Sequence, residues 1–209
     1  MTYGMMPNKD YETMDKILSM VCDRFKGDLN ILEIGVFQGN TSRGMRDFLK
    51  EKGRKINHTG VDNQRDFKMD KPFPESNFII GNSFEVYPKV KDNSQHLIFI
   101  DGNHSYPITM IDFLVYSDKV VEGGFIAFHD TGKQIKPFTD FQGIGDMADE
   151  DMWIACRKAV DKLGLLTDEY KGWKLILDEA DETFHTGGIL LVQKIDSNKQ
   201  LYETYMQQQ

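Results

Sequence analysis

Five short polar stretches carry the residues able to do chemistry, and each directly follows a short apolar run: residues 35–39, Asp62-Asn63, Asn82-Ser83, residues 101–104 and His129-Asp130-Thr131. Two types of group recur in them. Glycines leave room for a ligand to approach the backbone, and carboxylates with imidazoles hold cations or move protons. The first stretch, Gly35-Val36-Phe37-Gln38-Gly39, has the look of a cofactor turn, but Phe37 occupies the position where a dinucleotide fingerprint requires its second glycine. Glu33 just before it would repel a phosphate and attract an ammonium or a sulfonium. S-adenosylmethionine meets both conditions, since it lacks phosphate and carries both cations. Its ribose diol needs a carboxylate acceptor, which Asp62 supplies about one strand-helix unit later. Glu33, Gly35, Phe37, Gly39, Asp62, Asn63, Asn82, Ser83 and Asp101 form the expected cofactor set.

Asp101 and Asp130 end neighbouring apolar runs, so their carboxylates are expected to converge. Like charges at one point raise each other's pKa unless a cation lies between them. Hard oxygen donors favour Mg²⁺, with Mn²⁺ or Ca²⁺ also accommodated. His129 precedes Asp130 and is read as a further ligand or a second base, and His104 as a general base for a hydroxyl. The plain alternatives are a helix cap for His104, a buried hydrogen-bonded core histidine for His129, a turn for Asp101-Gly102 and a salt-bridge acid for Asp112.

The elements that position these groups follow from hydrophobic period. Residues 10–25 carry an apolar stripe at spacings of three and four, a packing helix. Short continuous apolar runs at 29–34, 56–61, 78–80, 97–100 and 125–128 alternate with helical stretches, with residues 40–42 as one helix cap and a helix over 105–121 with Ser105 as its cap. Such strands belong to a parallel sheet covered on both faces. After a helix over 152–163, runs at 173–177 and 188–192 predict a final antiparallel pair at one sheet edge. The reading is one α/β domain over 1–209, Rossmann-like and doubly wound, with an N-terminal packing helix within 1–28, an insertion at 131–151 serving as lid or substrate wall, a second loop at 64–76 and a polar tail at 197–209. The same helix and the edge pair are the expected places for a homodimer contact.

At 209 residues with a net charge of −8 and no basic block, the chain lacks the electrostatic footprint of a nucleic-acid or anionic-membrane binder. It has no apolar run of membrane-spanning length, so the expectation is a cytoplasmic protein with a small-molecule acceptor. Cys22 and Cys156, far apart among apolar residues, are expected to be free thiols.

The stretch FIDGNHSY, an Asp in the following helix and then GGFIAFHDT resembles the class I S-adenosylmethionine-dependent methyltransferases. Within them it is similar to the metal-assisted small-molecule O-methyltransferases of the methyltransferase family 24 type. ILEIGVFQGNTS, GVDN, GNSFE and the closing GGILLVQK extend the resemblance over roughly residues 29–192. It implies a seven-stranded sheet with the last strand antiparallel, a cofactor near Glu33, Gly35, Asp62 and Ser83, and a divalent metal at Asp101 and Asp130. Catechol-type relatives have an Asp-Asn pair where this chain has Asp130-Thr131, and a lysine where it has His104. The acceptor is therefore expected to be a sugar or phenolic hydroxyl rather than a catechol. Two other readings remain: a metal-dependent oxygenase or hydroxylase built on His104, His129 and one Asp, and a non-catalytic nucleoside-binding protein.

Overall fold

The computed structural model describes residues 6, 8–64, 76–133, 154–167, 171–180 and 187–195. Most of the expected insertion, most of the 64–76 loop and the polar tail lie outside the described residues. The elements run α1 (Asn8–Arg24), β1 (Leu29–Ile34), α2 (Asn40–Glu51), β2 (Ile56–Asp62), β3 (Asn77–Ile80), α3 (Ser83–Val86), β4 (Gln95–Ile100), α4 (Tyr106–Tyr116), β5 (Val120–Phe128), α5 (Cys156–Lys162), β6 (Trp173–Glu179) and β7 (Ile189–Lys194).

The strands form one seven-stranded sheet in the order β3-β2-β1-β4-β5-β7-β6. β3, β2, β1, β4 and β5 pair in parallel, while β7 runs antiparallel to both β5 and β6. The continuous apolar runs follow from burial on both faces, because alternate residues of a strand point opposite ways. Leu32, Ile34, Ile98, Ile100, Ile126 and Phe128 pack on one face with Phe113 of α4 and Val160 of α5. Leu29, Ile31, Leu97, Phe99, Phe125 and Ala127 pack on the other with Met14 and Ile17 of α1 and Met45 and Leu49 of α2.

Strand order reverses between β1 and β4, and the crevice beyond their carboxyl ends is where ligands bind in open sheets of this kind. The polar loops identified in the sequence all open there.

Three local expectations change. The helix expected over 105–121 stops at Tyr116, followed by a 3-10 turn at Ser117–Lys119, and Val120 and Val121 begin β5. These two β-branched residues suit a strand, and Val120 sits in register with Gln95. The helix α2 begins at Asn40 itself, with Gly39 at φ 69° as its cap and no side-chain cap bond. Ser42, which sequence reading placed in the cap, serves Glu33 instead. Ser105 does precede α4 as its cap residue, without a side-chain cap bond, and Pro107 lies in the first turn. The helix expected over 152–163 is seen at Cys156–Lys162, and residues 152 and 153 lie outside the described residues. Cys22 and Cys156 are free thiols, the second buried. Among the described residues no helix is long and apolar enough to cross a membrane.

Candidate active site

The glycine turn is built against the end of β4. Gly35 has φ 86°, and a Cβ there would lie 2.1 Å from the Asp101 carbonyl oxygen, so no side chain fits. The bonds Gly35 N to Val61 O at 2.9 Å and Asp101 N to Ile34 O at 2.8 Å stitch the ends of β2, β1 and β4 together. Phe37 sits at φ 47° and is 55% exposed, an apolar ring presented at the mouth of the crevice. Strain of this kind in a residue with a side chain is characteristic of ligand-binding turns.

Asp62 reaches back to this turn. Its Oδ2 accepts from the backbone N–H of Val36 and of Phe37, each at 2.8 Å, and its Oδ1 accepts from Gln64 N at 3.0 Å. The carboxylate therefore both shapes the turn and lies beside it. Asn63 is exposed next to it. Asn82 caps α3 by position, and its amide donates to Glu85. Ser83 donates its hydroxyl proton to Asp112 Oδ1 at 2.5 Å, and Tyr116 donates to the Ser83 carbonyl at 3.0 Å. Two side chains of α4 thus hold the loop after β3.

Glu33 departs from the ligand role its position suggested. It is 1% exposed and accepts from Ser42 Oγ and, at 3.1 Å, from His58 Nε2. Strand parity explains this: Glu33 shares the face of Leu29 and Ile31, which lies under α1 and α2. Burial pushes its carboxyl above the usual range, with His58 and Ser42 pulling the other way. Its role is to fasten α2 and β2 to β1.

The second half of the site gathers at the ends of β4 and β5. His104 Nε2 lies 3.2 Å from Asp130 Oδ2 and 3.4 Å from Asp101 Oδ1. One ligand atom from each of Asp101, His104 and Asp130 falls within 4.8 Å of the others, a group able to hold a metal ion. Asp130 adopts φ 53°, unusual for a residue with a side chain, and its Oδ1 accepts from Gly187 N at 2.5 Å. The adjoining Thr131 is fully buried, and among the described residues its hydroxyl has no hydrogen-bond partner. Two carboxylates and an imidazole converging with a buried unpartnered hydroxyl next in sequence fit a site for a hydrated cation or a polar ligand.

His129 lies buried and hydrogen-bonded between carboxylates. Its Nδ1 is 2.9 Å from Asp101 Oδ1, and its Nε2 is 3.1 Å from Asp10 Oδ2. Both ring nitrogens are engaged by carboxylates, so the described metal-capable group contains His104 in its place. Burial lowers the pKa of both imidazoles. The carboxylates overcome it: Asp101 and Asp130 hold His129 well above the usual range and raise His104 above it. Asp101 is in turn held well below the ordinary carboxylate range, burial notwithstanding, by His129 and His104.

Asp10 is the residue sequence reading missed. It stands in the helical stripe of α1 beside Tyr11 and Met14 and is 2% exposed. An acid on the apolar face of an otherwise ordinary packing helix is the signal that was available. Tyr106 starts α4, while the aromatics Phe138, Phe141 and Trp153 lie outside the described residues.

A prediction follows for the turn. Asp62→Ala removes the acceptor of two backbone N–H groups and the expected ribose partner together. Affinity for S-adenosylhomocysteine should fall by roughly tenfold or more, the scale of one lost charge-assisted hydrogen bond at about 1.5–3 kcal/mol. Calorimetry on the variant measures it, and undiminished affinity would sink the ribose assignment.

Residues 32–131 match the family described as methyltransferase domain. No curated protein matches the sequence. Among solved structures, a protein from Corynebacterium glutamicum is similar at 15% identity and TM-score 0.63, with 90% of this chain and 82% of that chain covered. The O-methyltransferase TomG from Streptomyces achromogenes, involved in tomaymycin synthesis and solved with S-adenosylmethionine, is similar at 16% identity and TM-score 0.58, covering 88% of this chain and 80% of that one. The methyltransferase MycE from the mycinamycin pathway, solved with Mg and S-adenosylhomocysteine, is similar at 16% identity and TM-score 0.56 over 90% of this chain and 50% of that one. Over residues 32–131 the chain is similar to the methyltransferase-domain family, and its seven-stranded sheet is the fold it shares with these structures.

Proposed function

We propose that the protein transfers a methyl group from S-adenosylmethionine to a hydroxyl oxygen of a small acceptor, a sugar or a phenolic compound, with a divalent cation at the acceptor. The observation that carries this is the convergence of Asp101, His104 and Asp130 beside the Gly35 turn, so that a cation-holding, base-bearing cluster adjoins the cofactor crevice. S-adenosylmethionine supplies an electrophilic methyl group on a sulfonium that leaves as a neutral thioether. A divalent cation, Mg²⁺ by the hardness of its donors, supplies Lewis acidity that lowers the pKa of the acceptor hydroxyl.

The chain's own residues do the rest. The Gly35 turn and Asp62 bind the nucleoside, with Asn63, Asn82 and Ser83 around it. Asp101 and Asp130 offer the hard oxygens. His104 takes the acceptor's proton at Nε2, and the imidazolium formed there is stabilised by the two carboxylates that face it. With its leaving group already activated, the reaction needs chiefly alignment and electrostatic support.

The engagement of both nitrogens of His129 bears on the hydroxylase alternative. It leaves one imidazole and two carboxylates, whereas an oxygen-activating iron site of the common kind uses two imidazoles and one carboxylate. That donor set supports hydroxyl activation by a hard cation. MycE was solved with Mg, which supports a cation in a related fold. Likewise, a protein that only stores a nucleoside has no need of His104 between two carboxylates.

Calorimetric titration with S-adenosylhomocysteine, once with Mg²⁺ and once with a chelator, tests the reading. Micromolar binding, about −8 kcal/mol, is expected in both buffers. No binding in either would end it.

A further inference from the structure

The helix α1 packs on the sheet through Met14, Ile17, Leu18 and Val21, yet an acid, Asp10, is buried on it as well. Burying a carboxylate is costly unless it is paired and hydrogen-bonded. Asp10 is both. Its two oxygens each lie 3.1 Å from Gly188 N at the start of β7, and Oδ2 lies 3.1 Å from His129 Nε2. The same imidazole meets Asp101 Oδ1 through Nδ1 at 2.9 Å, and the Phe99 ring packs against it at 6.0 Å between centroids. His129 thus bridges two carboxylates, Asp10 and Asp101, that are far apart in the sequence.

We infer that Asp10 is a positioning residue of the acceptor site: by holding His129 Nε2 it fixes the ring so that Nδ1 donates to Asp101, which sets the orientation of that carboxylate. The inference rests on the reading of Asp101 as a cation-holding group at the acceptor. Asp10 lies outside the span matched to the methyltransferase domain, so α1 contributes to the site rather than only to the core. Supporting groups of this sort orient first ligands, and their loss commonly costs 10–100-fold in metal affinity. A purely architectural Asp10 would tie α1 to Gly188 and leave His129 indifferent to its charge.

The test is Asp10→Asn, which keeps an acceptor for Gly188 N. In long-range ¹H–¹⁵N spectra of the metal-free protein, the parent should show both His129 ring protons protected, and the variant should lose protection at Nε2. Mn²⁺ affinity should fall about tenfold or more, while S-adenosylhomocysteine affinity stays within about twofold and the chain melts as a folded protein. In a His129→Ala background the substitution should have no further effect on Mn²⁺. Unaltered His129 signals, or an equal loss of Mn²⁺ affinity in that background, would overturn the inference. If the parent itself binds no Mn²⁺, the cation reading fails and the ring-proton comparison alone decides on Asp10. Should Asp10→Asn not fold, Asp10→Ser carries the same expectations and the same refutation.

Discussion

Asp101→Asn should abolish measurable Mn²⁺ binding and lower methyl transfer by about 10²–10⁴-fold, the range for losing a positioned charge or base at a reacting centre. One oxygen of this side chain serves both imidazoles, Oδ1 lying 2.9 Å from His129 Nδ1 and 3.4 Å from His104 Nε2. Asparagine keeps the shape and an acceptor oxygen, so packing survives. What it removes is the charge. The proposed cation site drops from two carboxylates to one, and His104, the proposed base, loses one of the two anions that raise its pKa. The proposed nucleoside half of the site keeps its shape, because Asp62 and the Gly35 turn are held by their own bonds. Affinity for S-adenosylhomocysteine should therefore stay within a few-fold of the parent, which separates loss of chemistry from loss of fold. The measurements are Mn²⁺ titration followed by magnetic resonance and single-turnover transfer to an acceptor. Mn²⁺ affinity equal to the parent's would place the cation elsewhere.

The framework was readable because its strands are buried on both faces. Runs such as Leu29–Ile34 and Gln95–Ile100 have too few polar positions to lie on a surface, and the polar residue after each marks the open end of the sheet. That end is where Asp62, Asp101 and Asp130 were sought and where they are found. Direction across the strand was less legible. Glu33 was assigned by its place along β1, but its parity with Leu29 and Ile31 turns it beneath α2. The partners of His129 were illegible for a different reason. Its fate depends on Asp10, 119 residues away in sequence, and no local pattern reports a partner delivered by tertiary packing. The start of β5 was hidden because Val120 and Val121 satisfy helical and strand patterns alike, with Gly123 and Gly124 marking a break after the true boundary rather than at it.

Asp112 gives the second large effect, and it is one of stability. The residue is 0% exposed on α4. Oδ1 accepts from Ser83, while Oδ2 has no hydrogen-bond partner among the described residues. Burial raises its pKa to about 7, with the Ser83 bond opposing. In the unfolded chain an aspartate titrates near ~3.9. Between about pH 4 and 7 the folded state keeps a proton that the unfolded state has released, so stability falls as pH rises through this window and is level above it. The full difference is on the order of 4 kcal/mol, at about 1.4 kcal/mol per pKa unit. Asp112→Asn removes the titration while leaving an acceptor for Ser83. It also places an amide N–H₂ where Oδ2 was unpartnered, at a cost of about 1–3 kcal/mol that does not vary with pH. The variant should accordingly gain on the parent as pH rises from 5 to 8, by about 2–4 kcal/mol in denaturant unfolding. His104 and His129, also raised, contribute alike to both chains and cancel in the difference. A gap between variant and parent that stays constant across pH 5–8 would mean that the folded and unfolded states bind the same number of protons at Asp112 there, and the raised pKa would be refuted. The compensation for so costly a group is local: Asp112 and Tyr116 together hold the loop of Ser83, one wall of the proposed nucleoside crevice.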